Sequence, residues 1–138
     1  MAMIHTPDSS VLIPSLQVGH PNHQETRRVL NRRHLRIIGH VALETFATMT
    51  SAAYKPRTSP SASAAAIAQL DSSPLAPSAQ GYVDLMTEAG ASGLIGGAIY
   101  DALIAITARQ HNARLISRDV RAAATYKALG VDLEMLTV

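Results

Sequence analysis

Cysteine is absent from the 138-residue chain. That excludes disulfides, thiolate zinc sites, iron–sulfur clusters and cysteine nucleophiles together. Tryptophan is absent too, and the aromatic side chains are only Phe46, Tyr54, Tyr82, Tyr100 and Tyr126. A core must therefore be built from Ala, Leu, Ile and Val, and an aromatic platform for stacking bases is not expected. The longest apolar run, residues 93–108, is interrupted by Asp101 and falls short of the roughly 20 residues a membrane span requires. The opening MAMIHTPDSS lacks the basic region and apolar stretch of a secretory signal. Neither sign of charge dominates, with twelve Lys and Arg against ten Asp and Glu. These absences point to a soluble, cytoplasmic protein without membrane association. The 47% hydrophobic content excludes intrinsic disorder, and the length fits one domain over residues 1–138.

Short apolar runs alternate with helical patterns along the chain. Strands are expected at residues 3–7, in LRIIG (35–39), in ARLIS (113–117) and at 131–136, and residues 73–77 read as a short connection or edge strand. Helices are expected over 9–16, 21–33 and 41–53, the last with Leu43, Phe46, Ala47 and Met49 or Thr50 on one apolar face. A further helix starts with Ser59 as N-cap and Pro60 at its first position and runs to residue 70. Others cover 78–89, with Gly90 suited to the C-terminal turn, 98–110, opened by Gly96-Gly97, and 120–129, closed by Gly130. Strands alternating with helices define an α/β fold with a parallel sheet covered on both faces.

Four carboxylates fall at special places in that pattern. Asp8 ends the first strand and Asp119 follows ARLIS. Glu44 lies in the first turns of the helix after LRIIG, and Asp101 lies near the start of the apolar helix GGAIYDALIAI. In a parallel sheet, strand C-termini and the helix N-termini that follow share one edge, where ligands bind, so the four converge on one cleft. Each acid also has a purely structural reading. Asp8 and Asp119 can cap helices, and Glu44 and Asp101 can interact with helix dipoles. Together they raise an electrostatic problem, because two unit charges about 5 Å apart repel by roughly 3 kcal/mol at an effective dielectric of 20. One or two hard cations, Mg²⁺ or Mn²⁺, remove it and favour oxygen ligands. Setting those acids aside leaves six against twelve basic side chains, a balance that attracts a nucleic-acid backbone. Arg27, Arg28, Arg32, Arg33 and Arg36 form the densest basic group and are the candidate RNA-binding residues, or else a solvated helix face.

The segments PDSSVL (7–12), HPNH (20–23), ALETFATMT (42–50), GGAIYDALIAITA (96–108) and ISRD (116–119) carry a resemblance along nearly the whole chain. The chain resembles a PIN-domain ribonuclease of the VapC type, the toxin half of bacterial toxin–antitoxin pairs. The resemblance implies a PIN-like three-layer α/β/α sandwich with a short-stranded parallel sheet, and Mg²⁺- or Mn²⁺-dependent endonuclease activity on RNA. It also implies a homodimer or higher assembly, and a small antitoxin whose C-terminal tail fills the cleft. By position, Asp8, Glu44, Asp101 and Asp119 are the catalytic and metal-binding acids. Ser10 matches a small polar residue supporting the first Asp, and Ser117 stands where the family has Thr or Ser before the last acid. His20 and His23 match some relatives and receive no catalytic role.

Three rival readings stand beside this one. A haloacid-dehalogenase-type phosphotransferase also places an Asp after its first strand, but it needs a second Asp two residues on, where this chain has Ser10. A catalytically inactive PIN-like module would only engage a partner protein or RNA. The basic segment 21–36 could contact DNA, although no helix-turn-helix pattern supports it.

Overall fold

Strands β1 (Ile4–Pro7) and β3 (Arg114–Ser117) lie side by side at the centre of a four-stranded, all-parallel sheet. β2 (His34–Leu35) flanks β1 and β4 (Leu133–Met135) flanks β3, giving the order β2-β1-β3-β4. The structure is a computed structural model that describes residues 2–136. From β1 the chain crosses to one side, through α1 (Ser9–Leu16) and α2 (His23–Leu30), to β2. It then passes through α3 (Gly39–Thr50), α4 (Pro60–Leu70), α5 (Ala79–Ser92) and α6 (Ala98–Gln110), and re-enters on the other side of β1 as β3. α7 (Val120–Ala128) leads to β4. The direction of winding thus reverses between β1 and β3. At such a switch point the two following segments separate and leave a crevice at the strand C-termini.

The sheet is buried on both faces, as the hydrophobic runs require. Adjacent residues of β3 point to opposite sides. Leu115 joins the larger core with Leu12, Ile37, Val41, Ile104 and Tyr126, whereas Ile116 joins a smaller one with Val11 and Leu30. This is the expected α/β arrangement. Among the described residues, no helix is long and apolar enough to cross a membrane.

Local chemistry explains most element boundaries. Ser59 Oγ accepts from the Ala62 N–H, and Pro60 occupies the first turn of α4, as predicted. Asp119 caps α7 through Oδ1, which accepts from the Arg121 and Ala122 N–H groups. Gly96, with φ 60°, turns the chain into α6.

Other expectations need correction. LRIIG is not a full strand. β2 comprises only His34 and Leu35, after which the chain turns into α3 and keeps a single parallel bridge between Ile38 and Leu75. Segment 73–77 therefore contributes one bridge rather than an edge strand. The helix expected over 21–33 spans only His23–Leu30 and ends in a turn in which the Arg33 N–H donates to the Leu30 carbonyl. Gly90 does not end α5. The helix continues for two residues to Ser92, and Gly93 takes the left-handed conformation at φ 71°. In α3 the buried stripe is Val41, Thr45 and Met49, while Leu43 is 66% exposed.

Beyond the short β2 ladder, the chain at Arg36 and Ile37 is held by a side chain. Asp71 accepts from Arg36 Nε at 3.0 Å, from the Ile37 N–H at 2.8 Å and from the Ser73 N–H at 3.0 Å. Burial would raise its carboxyl, but these donors outweigh it and hold the group below its usual range. Hydrogen bonds to a charged group contribute about 1.5–3 kcal/mol. Asp71→Ala is expected to lower unfolding free energy by about that amount in a urea titration. Asp84→Ala, on the exposed face of α5, should change it by less than about 0.5 kcal/mol.

Candidate active site

The crevice at the β1/β3 switch point is a cavity of about 420 Å³, and all four predicted acids line it. Each arrives on a different element. Asp8 follows β1 and caps α1, Glu44 projects from α3, Asp101 lies in the first turn of α6, and Asp119 follows β3. The capping and the cleft readings of Asp8 and Asp119 hold together, since a cap fixes the carboxylate where the crevice opens. The N-terminus of α6 is left without a side-chain cap, and Gly97 and Ala98 form part of the wall.

Asp8 is the most enclosed acid, only 3% exposed. Its Oδ1 accepts from both the N–H and the Oγ of Ser10, and its Oδ2 accepts from Ser117 Oγ and from the Tyr126 hydroxyl at 2.9 Å. Both serine hydroxyls are themselves oriented by backbone: Ser10 Oγ accepts from the Arg118 N–H at 2.8 Å, and Ser117 Oγ from the Asp119 N–H at 3.0 Å. Each serine proton is thereby directed at Asp8. Burial pushes the Asp8 carboxyl above its usual range, and the hydrogen bonds from Ser10, Ser117 and Tyr126 pull against that. Four donors suit an acceptor-only, ionised carboxylate.

The other acids are less confined. Burial also raises Glu44, opposed by neighbouring His40 and reinforced by the charges of Asp101 and Asp8. Asp101 is raised by burial first and then by the charges of Asp119 and Asp8. His40 Nε2 lies 3.6 Å from Glu44 Oε2, and its ring stacks on exposed Tyr100 with centroids 5.3 Å apart. Asp119 Oδ1 is engaged in capping α7, with Arg121 Nε 3.8 Å away.

The basic group expected at residues 27–36 is not at this cleft. None of its five arginines lines the cavity, Arg33 forms a bidentate pair with Glu134, and Arg36 is taken up by Asp71. The arginine that does line it is Arg121. His20 and His23 also lie outside the lining. His20 Nδ1 accepts from the Asn22 N–H, and His23 Nδ1 must carry a proton, because its partner is the Pro14 carbonyl at 2.9 Å. Tyr126 and Arg121 in the lining, and His40 beside Glu44, escaped sequence reasoning. Tyr126 had a legible signal, since it stands two helical turns after the capping Asp119, on the same face of α7.

The donor chemistry suits a hard divalent cation. The cleft offers carboxylate oxygens, no thiolate and no imidazole in its lining, and the acids raise one another's proton affinity, which marks charge awaiting a counter-ion. The spacing is open, however. Among the described residues, no three acidic or histidine side chains are gathered closely enough to hold one ion as they stand.

A parallel α/β domain with four acids at its topological switch point is the class that the geometry defines. The sequence profile of the PIN domain matches residues 6–128, and the chain belongs to the PIN-domain family, in its VapC-type branch. It is 38% identical over 132 residues to ribonuclease VapC40 of Mycobacterium tuberculosis strain H37Rv, covering 95% of this chain and 98% of that protein. To ribonuclease VapC27 of the same strain it is 33% identical over 124 residues, 90% of each chain. The crystal structure of VapBC2 from Rickettsia felis, bound to a DNA fragment from their promoter, superposes with a TM-score of 0.65 at 20% identity. That match covers 98% of this chain and 100% of the other, and the likeness is one of fold.

Raised carboxyls fix the sign of a pH effect. Glu44 and Asp101 bind protons more tightly folded than unfolded, so their contribution is full below the ordinary carboxylate pKa and is lost as pH rises through the raised values. Metal-free protein is expected to lose this part of its stability between the ordinary carboxylate range and neutral pH, while His5 and His20, whose imidazoles burial lowers, pull the other way over the same window. Below that range, the depressed carboxyls of Asp71 and Glu134 reverse the trend. Asp101→Asn should raise the neutral-pH melting temperature and flatten the profile, as read by calorimetry in EDTA.

Proposed function

We propose that this chain is the toxin of a toxin–antitoxin pair and an endoribonuclease that hydrolyses RNA phosphodiester bonds with Mg²⁺ or Mn²⁺. The observation that carries the reading is the convergence of Asp8, Glu44, Asp101 and Asp119 on one cleft at the sheet's switch point. The names of the ribonuclease relatives support the reaction class. Asp8, Asp101 and Asp119 would hold the cation, with Glu44 as a further ligand or as the residue that orients the attacking water. When bound, such a cation activates water and stabilises charge developing on phosphorus.

The chain's own groups supply the rest. Ser10 and Ser117 hold Asp8 in its ionised, acceptor form. Arg121, its side chain almost fully exposed beside Asp119, reaches for a phosphate of the RNA backbone. Arg118 lies on the same turn, its guanidinium against the side-chain amide of Asn22. Arg27, Arg28 and Arg32 are left as outlying contacts for a long substrate.

The antitoxin has an apolar surface to meet, the groove between α3 and α4 lined by Ala42, Leu43, Phe46, Ala64 and Ile67. A homodimer would cover the exposed Tyr82, Val83 and Met86 on α5. The cytoplasm, where RNA is abundant, is the compartment this function needs.

Purified protein, freed of any co-purifying antitoxin, is expected to cleave total RNA with Mg²⁺ or Mn²⁺ and not with EDTA. Asp101→Asn should lose at least about 100-fold, in keeping with a cation worth several kcal/mol to the transition state. Equal cleavage by both proteins would assign the activity to a contaminant. No cleavage by either, with RNA or protein partners still bound, would favour the inactive binding module.

A further inference from the structure

We propose that the Tyr126 hydroxyl occupies, in the metal-free protein, the acceptor position on Asp8 that a divalent cation takes up, so that loading the site displaces it. This rests on the metal-dependent reading above and says how the site changes on loading. A carboxylate offers about four lone-pair positions. On Asp8 all four are filled, two on Oδ1 by the Ser10 N–H and hydroxyl, and two on Oδ2 by the Ser117 and Tyr126 hydroxyls. A cation cannot bind Asp8 directly unless one donor leaves.

The four donors are not equally free to do so. The Ser10 N–H belongs to the backbone of the α1 cap. Each serine hydroxyl also accepts a backbone N–H, from Arg118 or Asp119, so turning its proton elsewhere disturbs a second bond. The Tyr126 hydroxyl has Asp8 as its only partner among the described residues. It is also the donor on the open side, because Tyr126 lines the cavity together with Asp8, whereas Ser10 and Ser117 do not. Its ring is fully packed in the core and need not move. Rotation about the C–O bond turns the hydroxyl proton into the cleft, where water or a phosphate oxygen can accept it.

The test is calorimetric titration of metal-free protein with Mn²⁺, without RNA. Tyr126→Phe removes the competing donor and is expected to bind Mn²⁺ about tenfold more tightly than wild type, with Tyr82→Phe unchanged. Unchanged or weaker binding by Tyr126→Phe would overturn the inference and leave the hydroxyl as a fixed positioning group. If Tyr126→Phe does not fold, wild-type protein still decides. Mn²⁺ should then change the near-ultraviolet tyrosine absorption, equally in a Tyr100→Phe background, and a silent spectrum would count against displacement. Absence of any Mn²⁺ binding by wild type would instead refute the metal site itself, which separates the two failures.

Discussion

The Asp8 carboxylate organises the whole carboxyl edge of the sheet. One buried charge draws donors from the start of α1, the end of β3 and the last turn of α7, joining residues 109 and 118 positions away in the chain. A buried carboxylate without donors would take up a proton or force the structure open. With them it fastens the C-terminal ends of the two central strands, and Asp8 even extends the ladder by donating its own N–H to the Ile116 carbonyl at 3.0 Å. The crevice has fixed walls because its deepest acid is also its main cross-link.

Around that anchor, hydrophobic packing works against electrostatics. Nothing comparable cages Glu44 or Asp101. They are brought near Asp8 because α3 buries Val41, Thr45 and Met49, and because α6 is packed almost without gaps from Ala102 to Ala108. The carboxylates ride on those helices and repel one another. Burial of apolar area supplies several kcal/mol per helix at about 25 cal/mol per Å², enough to hold charges that would separate if free. Stability is thus spent in the crevice to concentrate negative charge, the usual trade between a stable site and a reactive one.

What could be read from the sequence follows the reach of each signal. Caps are local, so Ser59-Pro60, Asp119 and the Gly96-Gly97 opening of α6 were legible from a few residues. The convergence of the acids was legible too, because a parallel sheet has only one edge where strands end and helices begin. Tertiary choices were not. Gly90 and Gly93 both suit a helix end, and only the backbone angle at Gly93 decides between them. α3 carries two apolar stripes, and the one containing Leu43 loses to Val41–Thr45–Met49. LRIIG has the composition of a strand, yet Asp71, 34 positions beyond Ile37, captures its backbone and ends the ladder. The open spacing of the acids could not be foreseen, because it depends on how α3 and α6 pack beside the sheet.

Charge distribution ties the anchor to the surface around it. Outside the cleft, Glu134, Asp71, Glu88 and Asp132 are matched with Arg33, Arg36, Arg109 and Arg114. Pairing therefore occupies four basic side chains, including Arg33 and Arg36 of the group around α2, and leaves the basic excess itself unchanged. Arg121 lines the crevice beside the four carboxylates, and Arg118 lies on the same turn. A polyanion approaching those arginines meets the negative cleft at the same time, and the repulsion cancels much of the attraction. If cations neutralise the cleft, the arginines act unopposed. By linkage the relation is reciprocal: whatever makes the cleft less negative strengthens binding of a phosphate backbone, and a bound backbone strengthens retention of the cation to the same degree. The acid cluster and its flanking arginines thus form one electrostatic unit, in which carboxylates that bound a cation would, while bare, keep a polyanion out.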